Sequence, residues 1–150
     1  MPESTTPQIP DRASAMGLMA RAPAARLEAL FPDLPPHSLL RGPEIGTVMV
    51  RGRQGGTGAP FNLGEMTATR CTVRLENGTV GHAHVQGRDR NHARRAAVLD
   101  ALLQADQSET LARTVLAPLA AAEQTRRETR AAKAAATKVE FFTLVRGEDQ

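Results

Sequence analysis

An Asn77-Gly78 pair between two strand-like runs is the feature that most constrains what this chain can fold into. Asn-Gly is the usual composition of a two-residue type I′ hairpin turn, because both central positions need a positive φ. The flanking runs, Glu65 to Leu75 and Thr79 to Gly87, therefore read as antiparallel neighbours. Counting outward from a two-residue turn sets Leu75 opposite Val80, Val73 opposite His82, Cys71 opposite His84 and Thr69 opposite Gln86, all on one face. Arg74, Thr72, Arg70 and Ala68 then share the other face with Gly81, Ala83, Val85 and Gly87. A shift of one residue would exchange the faces, so every assignment below depends on this turn.

Upstream, Ile45 to Arg51 reads as another strand, joined to the hairpin by the glycine-rich loop Arg51 to Phe61. The remainder reads as helix and turn. Asp11 caps a helix to about Ala22, and Pro23 opens a second one that ends near Phe31. His37 to Arg41 reads as a helical turn leading into the first strand. After Gly87 the apolar period lengthens to that of a helix, with Asp89 as cap and Ala96, Leu99 and Leu103 as its stripe. A further helix starts at a Ser108 cap and runs to about Thr137, with a kink or break near Ala117 because Pro118 follows. The chain closes on Val139 to Gly147, a strand by its β-branched and aromatic content, with Phe141 on one face and Phe142 and Leu144 on the other.

The expected fold is therefore α+β: an antiparallel sheet, made of a three-stranded meander plus the C-terminal strand, with flanking helices. Residues 1–10 read as a disordered tail and 11–150 as a single domain with a helix–strand arm from about residue 118. Two outcomes stand open for the last strand: exchange with another subunit, or return to its own sheet.

Composition bears on the core and on partners. The chain has no Trp or Tyr and only four Phe, so aromatic burial is scarce and a core completed against partner subunits fits. An Ala- and Arg-rich codon bias would produce the same counts. Between Arg41 and Arg95 there are nine Arg against four acids, which concentrates positive charge on the central unit. A single cysteine, Cys71, excludes an intramolecular disulfide and a cysteine-ligated cluster within this chain. The N-terminus has no secretory pattern and no stretch approaches a membrane span, so the expected location is the cytoplasm.

Three groups could carry chemistry. The loop residues Gly55, Gly56, Thr57 and Gly58, beside Arg51 and Arg53, could turn backbone N–H groups toward a phosphate or phosphonate. The alternative is an inter-strand loop that needs glycine only for its turns. The loop is neither a Walker A motif nor GxGxxG. His82 and His84, on the face of Cys71 in this register, could approach a zinc site, but no fourth ligand is evident and no metal is expected. Arg88 and His92 flank the start of the helix capped by Asp89, where His92 is expected in an exposed first turn near an anion. A stand-alone basic nucleic-acid-binding module is the generic alternative, weakened by the lack of Tyr and Trp for stacking.

Arg53-x-Gly-Gly-Thr-Gly58, Phe61, Gly64-Glu-x-Thr-x-Thr-Arg70, Val73-Arg-Leu75, Gly87-Arg-Asp89, His92-Ala93, Leu99-Asp-Ala-Leu102, Ala117-Pro-Leu119 and Val139-x-Phe-Phe-Thr-x-Val-Arg-Gly147, in this order, resemble the PhnG family, the G subunit of the bacterial carbon–phosphorus lyase system. The resemblance implies membership of a complex with H, I and J subunits and the L protein. That complex replaces the adenine of MgATP with an alkylphosphonate. MgATP is then a substrate of the complex, and no cofactor belongs to this chain. The resemblance assigns no catalytic residue here. It keeps Arg53 to Gly58 and Arg70 as anion-binding or partner-facing candidates and offers no role for Cys71, His82 or His84. Self-association and no nucleic acid complete the expectation for partners.

Overall fold

The computed structural model describes residues 10–105 and 107–138. Helix α1 (Arg12–Arg21) starts where the Asp11 carboxylate accepts the Ser14 N–H at 2.8 Å. Helix α2 (Ala24–Leu30) follows at once, with Pro23 at its cap rather than inside its first turn. Strands β1 (His37–Arg53), β2 (Pro60–Leu75) and β3 (Val80–Gln86) form an antiparallel sheet in the order β1-β2-β3. The α+β class and the meander are as expected. The strand expected at the C-terminus, with Phe141, Phe142 and Leu144, falls outside the described residues.

The register differs from the expected one by a single residue. Leu75 pairs with Thr79 across a three-residue loop: the Leu75 N–H reaches the Thr79 carbonyl at 2.9 Å, and the Gly78 N–H reaches the Leu75 carbonyl at 3.0 Å. Gly78, at φ 87°, holds the left-handed position, and Asn77 Oδ1 accepts the Thr79 N–H at 3.0 Å. Cys71 therefore faces Ala83 and Val73 faces Gly81, while Arg70 faces His84 and Thr72 faces His82. The reason is the apolar alternation of both strands. Val73 and Leu75 on one strand, and Ala83 and Val85 on the other, can share a buried face only if odd residues pair with odd ones. A two-residue turn would have buried the histidines in place of Ala83 and Val85.

His37 to Arg41, expected as a helical turn, is instead the beginning of β1. Ser38 pairs with Arg74 and Leu39 with Val73, so pairing with β2 overrides local preference. Pro43 falls within a register shift between Arg41 and Glu44, which an edge strand tolerates because no ladder hydrogen bond is lost.

Helix α3 (Arg90–Leu103) closes one face of this sheet. Its cap is as expected: Asp89 Oδ1 accepts the His92 N–H at 2.9 Å. It is buried nearly all round, from Ala93 and Ala96 through Ala97, Val98 and Leu99 to Ala101, because β2 and β3 lie on one side and α1 and α2 on the other. The approach to the sheet is close enough that a Cβ on Gly81 would strike the Ala97 carbonyl and come within 2.6 Å of the Ala101 nitrogen. Alanine along α3 permits this approach, so the small residues make a tight helix–sheet contact.

Asp100, 1% exposed, sits at the same height. It accepts the His82 N–H at 2.8 Å and receives Arg12 Nε and Nη2 at 2.9 and 2.8 Å. Gln104 Nε2 donates to the Val80 carbonyl at 3.0 Å. The outer edge of β3 is therefore partly satisfied by side chains of α3, as a buried edge requires.

Beyond α3, helix α4 (Ser108–Leu111) has Gln107 at its cap, with Ser108 already inside. It passes through a π turn at Ala112–Leu116 into α5 (Ala117–Ala136). The break expected from Pro118 takes this form: the widened turn relieves the ring's conflict with the preceding carbonyls. Past Leu119, α5 has no buried residue.

Gly81→Ala should destabilise the fold by about 3 kcal/mol, since neither the Ala97 carbonyl nor the helix behind it can yield cheaply. Asp100→Ala should remove about 2–3 kcal/mol by leaving the His82 N–H without a partner, with Asp100→Asn milder. Urea unfolding midpoints measure both, and wild-type midpoints would contradict the close contact.

Candidate functional site

The part of the sheet that α3 does not reach is a long bare hairpin. β3 pairs with β2 only from Arg74 to Ala68, whereas β1 and β2 continue together to Arg53 and Pro60. A helix of 14 residues is about 21 Å long. A strand of 16 residues spans about 50 Å. The excess carries the exposed apolar side chains Val48, Met49, Phe61, Leu63 and Met66, with Leu63 at 66% exposure and Met49 at 55%, and Ile45 is exposed beside its base. Val48 pairs with Met66 on one face, while Met49 pairs with Glu65 on the other. Exposed apolar side chains thus lie on both faces of the ribbon.

The glycine-rich loop is the tip of this hairpin. A turn at Gln54–Gly56 carries Gly55 and Gly56 at φ 57° and 83°. Both Thr57 and Gly58 direct their N–H groups to the Gln54 carbonyl, Gly58 at 2.8 Å. Arg53 Nη1 donates to the Gly58 carbonyl at 3.2 Å. Two amides of the expected nest are thus used inside the loop. Arg51 and Arg53 instead line a shallow depression with Gly52, Gly56 and Pro60.

The outer sheet face brings together residues that the expected register had separated. Arg70 faces His84 across the strands and lies 3.7 Å from Glu44, which also holds Arg41 at 3.2 Å. His82 Nδ1 and Thr72 Oγ1 are 3.1 Å apart. Partial burial lowers the His84 pKa, and the nearby charges of Arg70, Arg41 and His82 push it the same way.

Cys71 lies on the opposite, buried face, its thiol donating to the Arg41 carbonyl at 3.6 Å. Burial raises the thiol pKa, against smaller lowering by Arg94 and the Thr72 N–H, so a neutral structural thiol results. Cys71 and the two histidines cannot share a metal. Among the described residues no group of three His, Cys, Asp or Glu could hold one.

At the start of α3, Arg88 is exposed, but His92 is not. Its ring is 5% exposed, and its Nε2 lies 2.8 Å from the Met19 carbonyl, to which it donates. The expectation of an exposed turn failed because α1 packs over this end of α3, which a helical period alone could not reveal. Other arginines are also internal: Arg95 donates to the Phe31 and Pro32 carbonyls and pairs with Glu28 at 3.0 Å. One basic grouping is assembled only by the fold, although the arginines of α5 are evident in the sequence. Arg21 meets Arg126, Arg127 and Arg130 beside Glu123 and Gln86, residues about a hundred positions apart.

Comparison with known proteins covers nearly the whole chain. The family model described as phosphonate metabolism protein PhnG matches residues 10–147. A curated relative from Rhizobium meliloti (strain 1021) is 44% identical over 144 residues, 94% of this chain and 92% of the relative. Its name is alpha-D-ribose 1-methylphosphonate 5-triphosphate synthase subunit PhnG.

The lowered His84 pKa sets a pH dependence. The unfolded chain titrates this imidazole near 6.5 and the folded chain below it, so the unfolded state binds more protons as pH falls through 6.5. The stability associated with neutral His84 is complete above 6.5 and declines below it. His84→Gln should flatten the fall of the thermal midpoint between about pH 7.5 and 5.5; an unchanged slope would place the titration elsewhere.

Proposed function

The chain belongs to the PhnG family of phosphonate metabolism proteins, and we propose that it is a non-catalytic subunit of alpha-D-ribose 1-methylphosphonate 5-triphosphate synthase. The observation that carries this reading is the 44% identity to a subunit of that name across nearly the full length of both chains. The partners in this reading are the H, I and J subunits and the L protein, with MgATP a substrate of the complex. The reaction is transfer of an alkylphosphonate to ribose C1 with release of adenine, in the cytoplasm.

Within the complex, this chain contributes a surface. The hairpin beyond β3 buries Val48, Met49, Phe61, Leu63 and Met66, with Ile45 at its base, against another subunit, as exposed apolar side chains on a projecting ribbon favour. Arg51, Arg53 and Arg70 then lie at the margin of that contact, where they face the partner or its anionic substrate. Self-association, with Phe141, Phe142 and Leu144 as its candidate interface residues, is part of the same reading. A nucleic-acid module is the weaker reading, because the chain has no Trp or Tyr on which bases could stack.

Co-expression with the H, I and J proteins tests the assignment, and a chain that never co-purifies with them would refute it. Met49→Glu with Leu63→Glu should abolish co-purification while leaving the thermal midpoint near wild type, because both residues lie outside the core. If the double variant assembles normally, the hairpin is not the contact. Arg53→Ala and Arg70→Ala complexes should assemble and lose about tenfold or more in turnover, the size expected for a charge-assisted contact. Full turnover would make these arginines structural.

A further inference from the structure

We propose that the cleft between α1, the end of β3 and α5 is a binding site for a polyphosphate or phosphonate anion. The cleft has a volume of about 370 Å³ and is lined by Arg21, Gln86, Glu123, Arg126, Arg127 and Arg130. Four guanidinium groups face one carboxylate, so the lining keeps a net charge of +3 (4 − 1).

The cleft is partly organised in advance. Arg21 Nε and Nη2 hold Glu123 Oε1 and Oε2 at 2.7 and 3.2 Å, and Arg127 Nη2 reaches Oε1 at 3.2 Å. These bonds leave the Glu123 side chain 15% exposed. The guanidinium of Arg21 folds back over Gly17, where a Cβ would stand 2.9 Å from Nη1. Glycine at 17 thus leaves room for Arg21 to lie along α1 and meet α5.

On α5 the spacing 123, 126/127 and 130 places these side chains on one helical face. Glu123 is the best-covered member of this face, while Arg126, Arg127 and Arg130 stand exposed around it at the mouth of the cleft. Arg126 and Arg130 are like charges at i and i+4, an arrangement that disfavours an isolated helix. A bound anion relieves this repulsion. Planar guanidinium forks match the oxygens of phosphate and phosphonate groups bidentately. That the anion is the triphosphate of the synthase reaction rests on the function proposed above; that the cleft binds polyphosphate does not.

The test uses the full chain co-purified with its synthase partners, titrated calorimetrically with inorganic tripolyphosphate in about 150 mM NaCl. Wild type should bind. Arg126→Ala with Arg130→Ala should bind at least about tenfold more weakly, and both positions are exposed, so folding is retained. Arg113→Ala, at an exposed arginine outside the cleft, should leave the affinity unchanged. Methylphosphonate and a short DNA duplex separate a small phosphorus ligand from a nucleic-acid backbone. Equal binding by wild type and the α5 variant would overturn the proposal. So would preference for the duplex, or loss of co-purification in the α5 variant, which would make the arginines a partner contact. Failure of the wild-type chain to assemble with H, I and J would instead count against the proposed function, because assembly is read separately from binding.

Discussion

The seating of α3 on Gly81 is the contact on which the rest of the structure depends. With no side chain at 81, the helix backbone around Ala97 and Ala101 comes down onto β3. At that height Asp100 reaches the His82 N–H and Gln104 reaches the Val80 carbonyl. Arg12 then completes Asp100 and brings α1 over the same helix. One close approach thus decides the buried face of the sheet, closes part of the β3 edge and orients α1. It also decides what stays uncovered, because a helix about 21 Å long cannot cover strands that extend about 50 Å.

Small residues have opposite consequences in the two halves of the molecule. Along α3 the alanines let helix and sheet approach closely, so scarcity of aromatic residues does not leave this region thinly packed. In the hairpin, larger apolar residues such as Met49 and Leu63 are more than half exposed. The incomplete part of the fold is therefore the projecting arm. This division suits a subunit whose own core holds it together while an extended ribbon meets a neighbour.

The arginines divide in a similar way. Arg12 and Arg95 tie helices and loops together through a carboxylate or backbone carbonyls. Arg41 and Arg70 share Glu44 on the open sheet face. A count of charges along the sequence overstates the basic surface of the central unit for this reason. The concentration of guanidinium groups on α5 opposite Arg21 is formed by elements distant in sequence, so no local window contains it.

Local chemistry was legible. Asp11 and Asp89 cap helices, Pro118 marks a break, and the strand–loop–strand–turn–strand order of the centre emerges from β-branched runs and glycine. Each of these rests on atoms within a few residues. Register was decodable too, but from a different signal: the apolar alternation of both strands outweighs the usual length of an Asn-Gly turn, since burying Ala83 and Val85 is worth more than a favoured turn type. The exposure of His82 and His84, and the separation of Cys71 from them, follow from that one residue. What no reading of the sequence could reach is the set of contacts made when α1 and α5 fold back. His92 is buried because Met19 lies over it, and Arg21 meets Glu123 because a helix returns. Those positions are decided by packing between distant segments, and only the tertiary structure contains it.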